Sequence, residues 1–331
     1  MPALWHSAPV DIQIEKRMWD MEPVTTKPLL LVALGGNALI RKGETGAIAE
    51  QFANLRVPAR QIAKLSRDYR IIITHGNGPQ VGNLLLQQES CELVPSLPLE
   101  ILVAQTQGQI GYMIESTLDE ELEAIGLGEQ LLVSLISYVV VDAGDPAFRE
   151  PTKPIGPYYS AEEASLLNWP LVQTPKGYRR VVASPRPVTI VEKREIRKLV
   201  NEGFIVICCG GGGIPVTREG RAFHGIDAVI DKDLASARLA GEVGADILLI
   251  ATDVPGVAKD FGRPGEQFLR SLSIAEAEFS LGRGDFPPGS MGSKVEATVQ
   301  FLKSGGSRAV ICHLDDIGLA VAGKAGTEIA A

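Results

Sequence analysis

Two short segments of this chain combine lysines and carboxylates at the predicted starts of two helices. Lys232 stands between Asp231 and Asp233, directly after an apolar pair, and Lys294 follows a Gly-Ser-Met-Gly-Ser stretch. Helix N-termini favour anions because their first N–H groups are unpaired and the helix dipole is positive there, and a lysine adds a full charge. Phosphoryl transfer requires mainly positioning and charge neutralisation from a protein. The pattern therefore predicts a phosphoryl-transfer site.

Other roles remain open for these charged residues. Asp233 could orient the lysines or hold a magnesium ion bound to a nucleotide, and Asp231 could equally be a helix N-cap. An isolated lysine is usually solvated. We expect Lys232 and Lys294 at the lip of a cleft, where their side chains bury little apolar area.

The elements that must position these residues are short apolar runs, each followed by a turn rich in glycine. Runs without polar alternation are typical of strands covered on both faces, and hence of a mostly parallel sheet between two helical layers. The sequence predicts a three-layer α/β/α sandwich, in which ligands bind beyond the carboxyl ends of the strands and all four turns face one crevice. The runs are 29–34, 71–74, 204–209 and 247–252, followed by Gly35-Gly36-Asn37, Gly76-Asn77-Gly78, the four glycines at 210–213 and Asp253-Val254-Pro255-Gly256.

Glycine turns allow backbone N–H groups to approach an anion without a Cβ in the way. A single such turn is a weak signal, since it is more often only a tight connection, but four at the ends of one predicted sheet favour a binding role. The spacing of Walker A is absent, and so is the dinucleotide fingerprint in its proper context. His75 precedes one of the turns, and we favour a structural hydrogen-bonding role for it over that of general base.

A proline-rich segment at about 142–187 interrupts the alternation of strands and helices. Its density of prolines excludes a central strand or a long helix. We interpret it as a small inserted subdomain, called the flap below. A passive surface loop is the alternative.

Composition excludes several other classes of protein. The 331 residues include 32 Lys+Arg and 40 Asp+Glu, a net charge of −8 that opposes a general nucleic-acid or anionic-membrane binder. Apolar runs fall short of a membrane span. The four cysteines, at 91, 208, 209 and 312, lack metal-ligand spacing and are interpreted as reduced packing residues of a cytoplasmic protein. Residues 1–27 are interpreted as an N-terminal extension without assigned chemistry.

Several motifs in one order resemble those of the carbamate kinases of the amino acid kinase superfamily, from about residue 29 to the C-terminus. They include His75-Gly76-Asn77-Gly78-Pro79-Gln80, Pro151-Thr152-Lys153-Pro154, Tyr178-Arg179-Arg180-Val181-Val182, the glycine turns already described and both lysine segments. The resemblance implies reversible phosphoryl transfer between ATP and carbamate, giving ADP and carbamoyl phosphate with Mg²⁺. It also implies a homodimer that makes ATP from carbamoyl phosphate. The alternatives are another small-acid or phosphate kinase of the same superfamily, or a catalytically silent nucleotide or carbamoyl phosphate sensor.

The resemblance also implies roles for individual residues. An acceptor lobe, about 28–225 with the flap, would bind the carbamoyl phosphate end, and a nucleotide lobe, about 226–331, would bind ATP or ADP; a dedicated protein metal site is not expected. The expected acceptor residues are Gly35, Gly36, Asn37, Gly76, Asn77, Gly78, Gly211, Gly212 and Gly213. The expected nucleotide residues are Lys232, Thr252, Asp253, Val254, Gly289, Ser290, Met291 and Lys294, and the expected catalytic residues are Lys232, Asp233, Lys294 and Lys153.

The chain departs from the family pattern at two places and lacks one lysine that is common in the superfamily. Ser293 stands where the family commonly has proline, and Cys208-Cys209 precede the four glycines; neither change removes a charge. Other members of the superfamily typically carry a lysine on the first strand, where this chain has Val32-Ala33-Leu34. Lys153 in the flap is the candidate replacement, because a proline-restricted backbone could bring it into the crevice. A solvated loop lysine is the alternative.

Overall fold

The computed structural model describes residues 26–41, 43–91, 93–261, 265–286 and 289–330. The predicted N-terminal extension lies outside these residues, apart from its last two. The strands are β1 (Leu29–Leu34), β2 (Arg70–His75), β3 (Leu132–Ser134), β4 (Tyr138–Val141), β5 (Lys153–Tyr159), β6 (Leu171–Thr174), β7 (Gly177–Val182), β8 (Pro187–Ile190), β9 (Ile205–Ile207), β10 (Ile214–Glu219), β11 (Ala222–Gly225), β12 (Ile247–Thr252), β13 (Ala258–Lys259), β14 (Gln267–Phe268), β15 (Ser271–Ser273), β16 (Arg308–His313) and β17 (Thr327–Ala330). The α-helices are α1 (Ile48–Leu65), α2 (Gly78–Glu89), α3 (Leu99–Ala124), α4 (Ala161–Ser165), α5 (Lys193–Asn201), α6 (Lys232–Val243), α7 (Ile274–Arg283), α8 (Met291–Lys303) and α9 (Ile317–Val321).

The main sheet of the described residues has eight strands in the order β15-β17-β16-β12-β1-β2-β9-β3. Neighbouring strands are parallel except for the antiparallel pair β16 and β17. Parallel neighbours need crossover connections, which the helices supply. Because β1, β2, β9 and β12 run in one direction, the four glycine-rich turns that follow them lie at the same edge of the sheet.

Helices cover both faces of this sheet, and β1 explains why its residues are all apolar. Leu31 and Ala33 belong to the core beneath α5, α6, α7 and α8. Leu30 and Val32 belong to the opposite core beneath α1, α3 and α9. Successive side chains of a strand point to opposite faces, so a strand buried on both faces has no polar positions. The predicted three-layer α/β/α sandwich is confirmed.

The flap is a small separate sheet inserted between two strands that are themselves neighbours. Strand β4 pairs with β8 in a sheet of order β11-β10-β4-β8, and the chain between them forms β5, α4, β6 and β7. In the flap sheet, of order β5-β7-β6, the prolines Pro154 and Pro157 lie on the edge strand β5. An edge strand tolerates proline because the N–H group that proline lacks is not needed for hydrogen bonds to a second neighbouring strand. The prediction of an inserted subdomain is confirmed.

Of the four predicted strands, two match the structure, the one at 71–74 is one residue too short at each end because β2 is Arg70–His75, and one is wrong. Strands β1 and β12 have the predicted limits, whereas the run at 204–209 forms a strand only at Ile205–Ile207. Cys209 has φ +50°, which is left-handed and incompatible with a strand. The main sheet contains strands from both sides of residue 225, so the division into two lobes stays a prediction. None of the helices in the described ranges has the length and hydropathy to cross a bilayer.

Candidate active site

The two lysines predicted from sequence meet at one carboxylate. Lys232 is the first residue of α6 and Lys294 lies in the first turn of α8. Asp233 accepts from both: Oδ1 is 2.5 Å from Nζ of Lys232, and Oδ2 is 3.0 Å from Nζ of Lys294. The side chains are 11% and 14% exposed for the lysines and 3% for Asp233. The expectation of lysines at an exposed lip is therefore wrong, since their charges are buried and paired.

The electrostatics of this group follow from burial and pairing. Burial alone would raise the pKa of Asp233, but the two ammonium groups outweigh it and hold the pKa well below its usual range. Burial likewise works against a charged Lys294, but the carboxylates of Asp233, Asp231 and Asp253 together raise its pKa. The pKa of Lys232 is lowered by burial, which Asp233 only partly offsets. With both oxygens taken by lysines, Asp233 fits the role of orienting them.

Asp231 does more than the N-cap role that the sequence left open. Its Oδ1 caps α6 by accepting from the N–H of Asp233 at 2.9 Å. Its Oδ2 accepts from Nζ of Lys153 at 2.9 Å, across 78 residues of sequence. The N-cap role that the sequence left open for Asp231 is observed, whereas the contact with Lys153 was not predicted. The only sequence signal for this contact is that Asp231 is a second carboxylate beside Lys232, which already has Asp233 as a neighbour.

Lys153 reaches this position from the flap. It is the first residue of β5 and pairs across the flap sheet with Val182. Its side chain is 28% exposed, so it is neither fully solvated nor fully enclosed. The structure thus brings three lysines and two aspartates together at the N-terminus of α6.

The first two glycine turns approach this cluster closely. A Cβ on Gly76 would lie 3.3 Å from the backbone N of Gly36 and 3.6 Å from Cδ of Lys232. The N–H of Gly35 donates to the carbonyl of Ala251 at 3.0 Å, which ties the first turn to the end of β12. Asn37 and Gly78 belong to the same two turns. The first and second acceptor turns are therefore adjacent to Lys232.

The third turn, at 210–213, lies beside the same region, and two of its positions admit only glycine. Gly211 has φ +66°, and a Cβ there would lie 2.2 Å from Nδ2 of Asn77, which donates to Oγ1 of Thr106 at 2.8 Å. Gly212 has φ +88°, and its Cβ would lie 2.3 Å from the carbonyl of Ile230, the residue before Asp231. Gly213 instead contacts Val139, away from the lysines. Two of the three predicted glycines thus contact the site.

The predicted nucleotide residues lie on the side of the cluster that faces α8. Thr252 ends β12, and its hydroxyl donates to Oδ1 of the exposed Asp253 at 3.2 Å. Val254 is half-buried. Gly289 and Ser290 are exposed before α8, whereas Met291 packs against the core. Asp253 lies close enough to Lys294 to contribute to its raised pKa.

Comparison with known proteins identifies the family. The family model described as "Amino acid kinase family" matches residues 28–313. The chain belongs to the amino acid kinase family. Within it, the curated relatives include a carbamate kinase of Pyrococcus horikoshii, 46% identical over 91% of this chain and 98% of that protein. A carbamate kinase of Haemophilus influenzae is 47% identical over 91% and 96%.

Solved structures agree with this grouping. A carbamate kinase from Giardia lamblia bound to AMP-PNP superposes with a TM-score of 0.86 at 37% identity, and covers 92% of this chain and 99% of that one. A chain from Aeropyrum pernix superposes with a TM-score of 0.87 at 44% identity, over 91% and 99%. The predicted membership is confirmed.

Both departures from the family pattern are accommodated. Ser293 is buried in the first turn of α8, where its hydroxyl donates to the carbonyl of Ser290 at 3.1 Å. Cys209 donates its N–H to Oγ of Ser137 at 3.1 Å, which supports its left-handed backbone. Cys208, Cys209 and Cys312 are buried thiols, as the packing interpretation predicted, whereas that interpretation is wrong for Cys91, which is exposed.

His75 is a neutral structural residue in this amino acid kinase fold. It is the last residue of β2 and is 2% exposed, and Nδ1 lies 3.1 Å from the carbonyl of Gly76. Burial, together with the nearby Lys232 and against the hydrogen bond to Gly76, lowers the pKa of His75 to about 4. The neutral ring with a proton on Nδ1 can donate to that carbonyl. The geometry fits the structural role preferred from sequence.

This pKa shift predicts a specific dependence of stability on pH. Below pH 6.5 the unfolded chain protonates His75 while the folded protein does not, so stability is lost as pH falls from 6.5 towards 4. At pH 4.5 the loss from this group is about 2–3 kcal/mol. Urea unfolding at pH 6.5 and 4.5 measures it, and His75→Gln should lose less stability over this interval. His224→Gln, at a mostly exposed position, is the control and should lose as much as the wild type. Equal losses in the wild type and His75→Gln would contradict the prediction.

Proposed function

We propose that this chain is a carbamate kinase, which transfers a phosphoryl group reversibly between ATP and carbamate and gives ADP and carbamoyl phosphate. The observation that carries the proposal is the buried Lys232–Asp233–Lys294 group, placed at two helix N-termini beside three glycine turns. The relatives at 46–47% identity are carbamate kinases, which supports the choice of substrate.

In the direction of ATP synthesis, a terminal phosphate oxygen of ADP attacks the phosphorus of carbamoyl phosphate. The bond between phosphorus and the carbamate oxygen breaks, and carbamate leaves as an anion. Since the attacking and leaving groups are already anionic, the step needs no general base, in agreement with a neutral His75. The developing negative charge is met by Lys232 and Lys294 from the helix termini and by Lys153 from the flap. N–H groups at positions 36–37 and 77–78 of the two turns would hold the acceptor end, since the N–H of Gly76 itself donates to the carbonyl of Leu34.

Mg²⁺ would enter with the nucleotide and neutralise phosphate charge. Magnesium usually keeps several waters and binds one or two carboxylates together with substrate phosphates. Asp233 does not fit this role, because both of its oxygens accept from lysines. Asp253 fits better, since it is exposed beside Lys294 and only Oδ1 accepts from Thr252. We propose Asp253 as the protein carboxylate nearest the nucleotide-bound magnesium.

The remaining proposals rest on the family resemblance. They are a homodimer, a cytoplasmic enzyme and a place in arginine metabolism, with carbamoyl phosphate used to make ATP. The four free thiols are consistent with a reducing compartment. Analytical ultracentrifugation of the purified protein tests the homodimer, since a single species at the monomer mass would contradict it.

The substrate is tested by ATP formation from ADP, Mg²⁺ and carbamoyl phosphate, beside acetyl phosphate and acetylglutamyl phosphate. We expect carbamoyl phosphate to be used fastest, because the acceptor turns offer backbone amides and asparagines and no evident binding site for a long amino acid. Faster use of another acyl phosphate would assign a different kinase of the family. No ATP formation from any of them would favour a silent sensor.

A further inference from the structure

The flap meets the rest of the protein at the segment that leads into α6. Asp227 accepts from Nη2 of Arg180 at 3.4 Å, and Asp231, four residues later, accepts from Nζ of Lys153 at 2.9 Å. Between them, the N–H of Val229 donates to the carbonyl of Ala183 at 3.0 Å. The base of the flap is therefore fixed to this segment by one backbone contact and two ion pairs.

The two ion pairs differ in their surroundings. Asp227 is 60% exposed in its side chain, so solvent screens its attraction to Arg180 and the pair contributes little. Asp231 is only 11% exposed, and Lys153 is 28% exposed. The inner pair therefore acts in a less polar medium, and it involves a lysine assigned to the reaction.

The two carboxylate oxygens of Asp231 accept different hydrogen bonds. Its Oδ1 caps α6 at the N–H of Asp233 and its Oδ2 holds Lys153. A lysine ammonium has three donors, so the contact with Asp231 leaves two for the oxygens of a phosphoryl group. Asp231 also offsets one of the three positive charges that the lysines bring together. Without it, the three lysines would be compensated by Asp233 and, at Lys294, by Asp253.

We propose that Asp231 is a positioning residue that acts through Lys153. It holds the flap ammonium at the N-terminus of α6, so that the phosphoryl group meets an oriented cation and the flap need not order on binding. This inference rests on the proposed function and assigns to Asp231 a role beyond that of a helix cap. It predicts that the effect of removing the carboxylate depends on the presence of Lys153.

A double-mutant cycle with Asp231→Asn, Lys153→Met and the double variant tests this dependence. Asparagine keeps the side-chain oxygen that caps α6 but loses the charge that holds Lys153. We expect Asp231→Asn to lower kcat/KM for carbamoyl phosphate by about 10- to 50-fold through misplacement of the cation, with KM for ADP near the wild-type value. In the Lys153→Met background, the same change should have little further effect. Asp227→Asn, the matched control at the outer pair, should keep wild-type kinetics.

Three results would overturn the inference. Equal losses from Asp231→Asn in both backgrounds would make Asp231 act independently of Lys153. Wild-type kinetics in Asp231→Asn would show that the contact does not matter. Asp231→Ser also keeps a capping oxygen. If both Asp231→Asn and Asp231→Ser lower the melting temperature and impair the use of both substrates, the role of Asp231 is only structural. Inactivity of the wild type with carbamoyl phosphate would instead refute the proposed function, before any variant is compared.

Discussion

Lys232→Ala and Lys294→Ala are each expected to lower turnover by about 10²–10³, the usual cost of removing a preorganised stabiliser of transition-state charge. Both ammonium groups are held by Asp233 before substrate arrives, so little reorganisation is needed during the reaction. Their burial strengthens the electrostatic effect, because the surroundings are less polar than water. Initial rates of ATP formation at saturating ADP and carbamoyl phosphate measure this loss.

Folding must be separated from catalysis in this experiment. Each alanine removes one of two partners from a buried carboxylate and leaves space where the lysine stem was packed, so we expect lower melting temperatures as well. Lys232→Met and Lys294→Met keep most of the stem and should show the same catalytic loss with better stability. Lys303→Ala, in the last turn of α8 and paired with Glu278 at the surface, is the control and should keep full activity. Near-native turnover in a folded variant would remove that lysine from the mechanism.

Lys153→Ala is expected to lower turnover by about 10²-fold while nucleotide affinity changes little. Lys153 is the cation that the flap contributes, and β1 carries no lysine before Gly35 to replace it. Since Lys232 and Lys294 stay in place, the nucleotide phosphates keep their partners. Turnover measures the first effect, and calorimetric titration with ADP and Mg²⁺ measures the second.

A second flap lysine provides the matched control. Lys176 lies over the ring of Tyr158, with Nζ 5.8 Å from the ring centroid, and has no place in the proposed reaction. Lys176→Ala should therefore retain wild-type turnover. Unchanged turnover of Lys153→Ala at saturating substrate would mean that the flap acts only as a lid. If turnover and ADP binding both fall, Lys153 binds the nucleotide instead.

Much of the framework could be predicted from local patterns. Strands β1 and β12 were predicted with their observed limits, because an apolar run followed by glycine describes both the burial of a strand and the turn that ends it. The largest failure lies at Cys208 and Cys209, which are apolar enough to be taken for the end of a strand that stops at Ile207. The backbone there already turns into a left-handed conformation, and side-chain polarity does not record that change.

The composition of the site was also predictable, whereas its electrostatic state was not. Lys232, Asp233 and Lys294 could be chosen because lysines at helix starts favour phosphate. The burial of these side chains could not be predicted, because it depends on α8 and the glycine turns, which lie next to α6 only in the folded protein. The role of Asp231 was hidden for the same reason, because the lysine it holds belongs to an inserted sheet.

By itself, the sequence determined which residues form strands and helices, which turns can adopt left-handed backbone, and the family to which the chain belongs. These properties depend on side-chain type and on spacing over a few residues. Only the tertiary structure decided that Asp233 binds Lys294, 61 residues further along the chain, and that Asp231 binds Lys153, 78 residues away. Those contacts depend on the order of strands in the sheet and on where the flap returns to it. Strand order is set by the burial of two helical layers over the whole chain, a sum of many weak interactions that no single motif contains.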